Sequence, residues 1–343
     1  MKIFAYLLFI VILAACTSGP KPEAETQQPE TPTMSRLDSI NQLLLENPNS
    51  VDLFLERAEL FMHMDSLDIA VKDINRALRI DSTSAQAHHD RGEIHYFKKD
   101  IDLALKEFDV CIEYDPDHCP CLLKKAEIQM LLRQYEEALS LINSALRVDE
   151  FQPEAYYMKG LLYKEAGDTN LAVSSYITAT ELDPMFYDAY IQVGLLYAIA
   201  HNDLALEYYS SALDIAPNSV EAMYAKGVYL QDNAQGRADR LREALEVYDD
   251  IQMVDTAFAA APYNQGYIYL EYLADYDSAA TKFGIAIEKY PMYFQAFYNR
   301  GLCFESSDQL QRALNDYNKS LHMKPDYTPA AIAKSRVLES MGK

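Results

Sequence analysis

A small residue recurs at a fixed interval along most of the chain, and this period constrains the fold more than any other feature. Ala58, Gly92, Ala126, Gly160 and Gly194 are each 34 residues apart. The series continues after steps of 33, 39 and 35 residues at Gly227, Gly266 and Gly301. A chain with such a period is built from one small structural unit that is used many times and stacked on itself.

Each period contains a second pattern that indicates two helices. A further small residue is always alanine, at Ala70, Ala104, Ala138, Ala172, Ala205, Ala244, Ala279 and Ala313. A large apolar residue follows four positions later, at Ile74, Phe108, Ile142, Tyr176, Tyr209, Tyr248, Phe283 and Tyr317. Such spacing keeps side chains on one helical face. Small residues on both helices allow close backbone approach, and proline often ends the second helix because it lacks an N–H.

This pattern resembles the tetratricopeptide repeat in its period and in its order of small, small, large and proline residues. The resemblance implies an all-α fold, a right-handed superhelical α-solenoid of about eight helix-turn-helix repeats with capping helices at both ends. We expect the solenoid to occupy residues 35–343, with a C-terminal capping helix over 328–341. The repeats, numbered one to eight, are predicted at about 51–84, 85–118, 119–152, 153–186, 187–219, 220–258, 259–293 and 294–327.

Two repeats depart from the pattern. Repeat six is five residues longer than the common period, over Gln231 to Arg240, and it lacks a closing proline. Its long connection carries Arg237, Arg240 and Arg242 in an otherwise acidic chain. We expect a solvated loop there, with a contact to a partner as the alternative. Repeat seven has Pro262 in its first helix, and we expect that helix to begin at the proline.

The N-terminus has the pattern of an export signal. Lys2 precedes an apolar run from Ile3 to Ala15, which ends in Leu13-Ala14-Ala15-Cys16. This resembles the lipobox of bacterial lipoproteins. The resemblance implies a signal peptide over 1–15, lipid attachment at Cys16 and a flexible tether over 16–34, in which proline and polar residues predominate. It places the chain in the bacterial cell envelope, at the outer membrane on its periplasmic side or at the cell surface. The alternative is a plain secretory signal with an incidental cysteine.

One face of each first helix is predicted to bind a partner. In the resembled family this face lines a groove, and here it changes from Glu-rich in the early repeats to Tyr-rich and aliphatic in the later ones. An apolar, Tyr-rich stripe marks a protein-binding surface. The alternative for any single tyrosine is that it only packs between neighbouring first helices. The predicted binding residues are Tyr157, Ile191, Tyr224, Tyr263, Asn264, Tyr267, Tyr298 and Asn299, where the two asparagines resemble those that bind an extended peptide backbone.

Composition and motifs exclude other classes of function. The 52 acidic residues against 30 basic ones give a net charge of −22, which disfavours binding to phosphate backbones. The sequence has no phosphate-binding loop, no dinucleotide fingerprint and no hydrolase or metalloprotease motif. We therefore predict a non-enzymatic scaffold without catalytic residues or cofactors. It would bind a protein or peptide partner and support the assembly of an envelope complex.

A cysteine and histidine cluster leaves alternatives open. Cys111, His118, Cys119 and Cys121 lie close together in sequence and could serve a metal- or redox-dependent protein. An exported chain favours instead a disulfide from Cys111 to Cys119 or to Cys121, or free buried thiols, so no metal is expected. A third possibility is a self-assembling structural protein, in which the Tyr-rich face binds another copy of the chain.

Overall fold

In the computed structural model, residues 32–342 are described and every regular element among them is an α-helix. This confirms the predicted all-α fold. The helices are α1 (Pro32–Glu46), α2 (Val51–His63), α3 (Leu67–Ile80), α4 (Ala85–Phe97), α5 (Ile101–Tyr114), α6 (Cys119–Leu131), α7 (Tyr135–Val148), α8 (Pro153–Glu165), α9 (Thr169–Leu182), α10 (Tyr187–Ile199), α11 (Leu204–Ile215), α12 (Val220–Asp232), α13 (Ala238–Val254), α14 (Ala260–Glu271), α15 (Tyr276–Lys289), α16 (Phe294–Ser306), α17 (Leu310–Met323) and α18 (Thr328–Ser340).

The chain divides into two compact bodies, an N-terminal body up to Ile94 and a C-terminal body from His95. In the N-terminal body, α2 and α3 form a hairpin and α1 packs on it. Ile40 of α1 shares one buried cluster with Ala58 and Ile74 of the hairpin. The predicted helix in front of repeat one is therefore present, and it covers the apolar side of that repeat.

The C-terminal body repeats one hairpin six times. The pairs are α6–α7, α8–α9, α10–α11, α12–α13, α14–α15 and α16–α17, each packed on the next, and α18 packs on the last pair. In the pairs that carry the periodic glycine, an aromatic ring of the second helix lies against that glycine. A Cβ atom added at Gly160 would lie 2.4 Å from Cε1 of Tyr176, and one at Gly301 would lie 2.6 Å from Cε1 of Tyr317. The aromatic ring of the second helix therefore occupies the space that any larger residue on the first helix would need.

A residue with positive φ closes the turn between the two helices of each pair. Gly167 occupies this place in repeat four with φ 80°. The other repeats have a residue with a Cβ at this place, namely Asp65, Lys99, Arg133, His201, Gln235, Ala274 and Asp308, and in repeat six Gly236 follows with φ 82°. The left-handed conformation strains residues that carry a Cβ, so these turns depend on the packing of the helices that they join.

Repeat six uses its extra residues differently from the expectation. The sequence predicts a longer connection, but α12 ends at Asp232 and α13 already begins at Ala238. The second helix has 17 residues, where α9 has 14, so part of the insertion forms an additional helical turn. The buried residues Asn233 and Ala234 lie in the short connection before it. The expectation of a solvated loop is therefore confirmed only for Gln235, Gly236 and Arg237, which are exposed between the two helices.

Two helix starts differ slightly from the predictions. Helix α14 begins at Ala260, so Pro262 is its third residue rather than its first. The first turn of a helix has no internal partner for its N–H groups, so proline fits there without loss. Helix α1 begins at Pro32 and takes up the last residues of the predicted tether over 16–34.

The predicted signal peptide over 1–15 and Cys16 lie outside the described residues, as does the tether before Pro32. Within residues 32–342, none of the helices combines the length and the apolar character that a membrane crossing requires.

Candidate partner-binding face

The first helices of successive repeats lie side by side in the C-terminal body. Helix α6 contacts α8, α10 contacts α12, α14 contacts α16, and α16 contacts α18. Residues three positions before and one position after the periodic small residue therefore form two rows along one face, which we call the first-helix face. All the predicted binding residues except the two asparagines belong to these two rows.

In four repeats, the tyrosine three positions before the small residue packs with two other aromatic rings, and we call each such set an aromatic trio. Tyr157 packs between Tyr176 of its own second helix and Phe186 in the connection to the next repeat, with ring centroids 5.5 and 5.0 Å away. Three other repeats have the same arrangement, namely Tyr224 with Tyr248 and Phe258, Tyr263 with Phe283 and Tyr293, and Tyr298 with Tyr317 and Tyr327. These tyrosines are partly buried, so each stabilises its own repeat and leaves only part of its ring for a partner.

These trios are not among the predictions from the sequence, although the sequence contains a signal for them. In repeats four, six, seven and eight, an aromatic residue follows the second-helix ring after ten positions, as Phe186 follows Tyr176. Repeat five has Ser219 at that position, and its residue in the same row is Ile191, which is only 3% exposed. The structure therefore places Ile191 in the core beneath the face.

The two predicted groove asparagines lie inside the protein and bind tyrosine hydroxyls. The amide of Asn264 donates to Oη of Tyr224 and Oη of Tyr248, at 3.3 and 3.1 Å. Asn299 donates to Oη of Tyr263 at 3.0 Å. Each asparagine thus links its repeat to the trio of the preceding one. Burial raises the pKa of Tyr224, and the Asn264 hydrogen bond opposes this rise.

The row after the small residue is more open. It consists of Leu161, Leu195, Val228, Tyr267 and Leu302 in repeats four to eight. Leu195 is 37% exposed, and the other four are partly buried. Burial raises the pKa of Tyr267, and the nearby Glu271 carboxylate adds to the effect, so this hydroxyl stays protonated at neutral pH. The row offers apolar contact area together with one hydrogen-bonding hydroxyl.

The cysteine cluster forms a disulfide. Cys111 of α5 is bonded to Cys121 of α6, with Cα atoms 6.5 Å apart, which is one of the two pairings that the sequence left open. Nδ1 of His118 accepts a hydrogen bond from the backbone N–H of Cys121 at 3.3 Å and caps α6. Cys119 is a free thiol whose pKa is raised, mainly by burial. The disulfide uses two of the three thiols that a metal site would need.

The family comparison identifies the repeating element. Residues 85–118 and 153–184 match one family model described as tetratricopeptide repeat, and residues 263–328 match a second with the same description. The chain contains tetratricopeptide repeats. The matched segments lie in both the early and the late part of the predicted series, in agreement with the period read from the sequence. Repeats of this kind mediate contacts between proteins, and the geometry of the first-helix face suits that role.

Comparisons with individual proteins show similarity over parts of the chain. The chain resembles the C-terminal part of a repeat-containing protein from Cytophaga hutchinsonii, with a TM-score of 0.50 and 20% identity, over 67% of this chain and 93% of that one. It also resembles YrrB, a protein of the same kind described as having an unusual peptide-binding site, with a TM-score of 0.43 and 25% identity, over 55% and 98% of the two chains. A curated relative is the anaphase-promoting complex subunit CDC16 of Saccharomyces cerevisiae, 28% identical over 139 residues, which are 40% of this chain. The match spans only 16% of the length of that relative.

Proposed function

We propose that the protein is a membrane-anchored scaffold that binds an extended segment of a partner protein on the first-helix face of its C-terminal body. The observation that carries this proposal is the open row of Leu195, Tyr267 and their neighbours on adjacent first helices. Apolar side chains that recur along one face give a partner a series of contacts at regular spacing. Tyrosine suits such contacts because it adds a hydrogen-bonding group to a large apolar surface.

The aromatic trios give the face its rigidity. The ring of Tyr263 is stacked on Tyr293 with centroids 4.6 Å apart, and its hydroxyl is bonded to Asn299. A surface whose side chains are already fixed loses little conformational entropy when a partner binds. The trio tyrosines thus contribute mainly by shaping the face, while the row after the small residue makes the direct contacts.

The experiment changes the open row and leaves the trios intact. We expect Leu195→Glu combined with Tyr267→Glu to weaken partner binding by at least about tenfold, because carboxylates replace apolar anchors at the centre of the interface. The partner is first identified by crosslinking in the native membrane and mass spectrometry, and its binding to each variant is then measured. The control is Leu171→Glu, at a side chain on second helix α9 that is 46% exposed. Equal binding by the double variant and the parent chain would contradict the proposal.

We further propose that the scaffold is held in the bacterial cell envelope, at the outer membrane, by lipid on Cys16 and serves the assembly of an envelope complex. The Leu13-Ala14-Ala15-Cys16 motif supports the anchor. The Cys111–Cys121 disulfide is consistent with export, because disulfides persist in oxidising compartments. Mass spectrometry of the N-terminal peptide tests the anchor: a diacylglyceryl group on Cys16 is expected, and Cys16→Ala should release the protein from the membrane fraction. An unmodified N-terminal peptide would contradict it.

A further inference from the structure

A polar pocket lies where repeat five meets the inserted turn of repeat six. It has a volume of about 470 Å³. One side is the turn between α10 and α11, and the other is the connection that leads into α13. The lining residues are Ala200, His201, Asn202, Asp203, Asn233, Gln235, Arg237 and Arg240. The pocket lies at the turns of the hairpins and none of these residues belongs to the first-helix rows, so it stands apart from the proposed function.

The extra helical turn of repeat six builds one wall of the pocket. Arg240 lies in that turn and is only 8% exposed. Its guanidinium donates to the carbonyl oxygen of Asn233 at 2.9 Å and to Oδ2 of Asp203. Asp203 belongs to the turn of the preceding repeat, so this ion pair fixes the distance between the two walls. The insertion that first appeared as an irregularity in the period is thus the element that makes the pocket.

Both carboxylate oxygens of Asp203, which lines the pocket, already accept hydrogen bonds. Oδ2 of Asp203 accepts from Arg240, and Oδ1 accepts from Oη of Tyr229 at 2.9 Å. The hydrogen bond from Arg240, followed by that from Tyr229, holds the pKa of Asp203 below its usual value. This carboxylate therefore stays ionised, and its charge is balanced by Arg240 within the pocket.

His201 is bonded through Nδ1 to Oδ1 of Asn233 at 2.7 Å, and the polar capacity that remains in the lining offers more donors than acceptors. Oδ1 of Asn202 accepts from the N–H of Leu204 at 3.0 Å, while its NH₂ group makes no hydrogen bond among the described residues. The Gln235 side chain likewise has no hydrogen-bond partner among residues 32–342. Nη2 and Nε of Arg237 donate to the two carboxylate oxygens of Asp239, at 2.7 Å and at a long 3.4 Å, and the two side chains are 55% and 63% exposed. Exposed pairs of this kind contribute little, so a ligand can replace Asp239 at small cost.

Charge and shape together select the ligand. Among the lining residues, Arg240 is balanced by Asp203, and the charge of Arg237 becomes available to a ligand that displaces Asp239 from it. We propose that this pocket binds a single carboxylate group of a partner molecule. A carboxylate carries one negative charge and matches the planar fork of a guanidinium. A phosphate group carries more negative charge than the lining offers in return.

The test uses small probes and the imidazole of His201 as a reporter, because this side chain lines the pocket. N-acetylaspartate α-amide presents a side-chain carboxylate, N-acetylalanine presents a terminal one, and N-acetylasparagine α-amide is the neutral match of the first. We titrate each probe, and inorganic phosphate, into the purified full chain with isotope-labelled histidine. Saturable shifts of the His201 resonances with either carboxylate are expected, and the tighter of the two shows whether the natural group is a side chain or a chain terminus.

Matched arginine variants locate the binding. Arg237→Ala should weaken carboxylate binding about tenfold, whereas Arg242→Ala should leave it unchanged. Arg242 is exposed and lies outside the lining, and its loss changes the net charge by the same amount. The proposal is overturned if the neutral probe binds as well as the carboxylates, if phosphate binds more tightly than either carboxylate, or if both variants lose affinity equally. An absence of saturable shifts with either carboxylate would overturn it too.

Discussion

Repeats three and four are neighbours in the chain, yet they fill the space between their two helices in different ways. In repeat three, Ala126 of the first helix and Ile142 of the second belong to one buried cluster. In repeat four, Gly160 lies against the ring of Tyr176, which also packs on Tyr157. The small residue and its filler therefore change together, because a ring requires the volume that a Cβ would take. The ring in turn supports a tyrosine on the first-helix face.

The largest expected effect comes from breaking this pairing. Gly160→Ala places a Cβ within 2.4 Å of the Tyr176 ring, and overpacking of this kind costs about 1–3 kcal/mol. Tyr176→Ile alone leaves a cavity and is also destabilising. The double variant copies the pair of repeat three, so its destabilisation should be smaller than the sum of the two single effects. Urea unfolding followed by circular dichroism measures all three variants, and strict additivity would show that the two positions are independent.

A second prediction asks whether the hydroxyls matter as well as the rings. Tyr263→Phe removes the acceptor for the amide of Asn299, which is only 7% exposed. A buried donor left without a partner costs about 1–3 kcal/mol, so we expect a loss at the lower end of that range. Tyr176→Phe is the control, because its buried hydroxyl has no hydrogen-bond partner among the described residues. The control should be neutral or stabilising, and equal losses in both variants would contradict the assignment.

Some features of these repeats could be predicted from the sequence, and others could not. The period, the helix pairs and the close contact at Gly160 follow from residue spacing, since small residues opposite large ones have one geometric use in paired helices. The roles of Asn264 and Asn299 do not follow from residue spacing. The presence of an asparagine does not show whether its amide binds a partner or, as Asn264 does, the Tyr224 hydroxyl of the preceding repeat. The pocket at Arg240 was equally hidden, because the pattern shows that residues were added but not that they extend a helix.

The smallest expected change in stability comes from substitutions in the turns of repeats three and four. Gly167 in repeat four and Arg133 in repeat three have φ of 80° and 59°, and the N–H of each bonds to the carbonyl oxygen three residues earlier, at 3.1 and 3.0 Å. A left-handed conformation costs a residue with a Cβ about 1–2 kcal/mol relative to glycine. Gly167→Ala should therefore destabilise by about 1 kcal/mol.

Arg133→Gly should stabilise by somewhat less, since glycine also makes the unfolded chain more flexible and this offsets part of the gain. Thermal unfolding of the two single variants measures both effects, with Asn170→Ala as a control for exposed substitutions near the turn of repeat four. Opposite signs would show that both turns are held in the left-handed conformation by the packing of their helices. If Arg133→Gly were destabilising instead, the arginine side chain would have to contribute to the turn of repeat three, and the two repeats would then differ in how they turn as well as in how they pack.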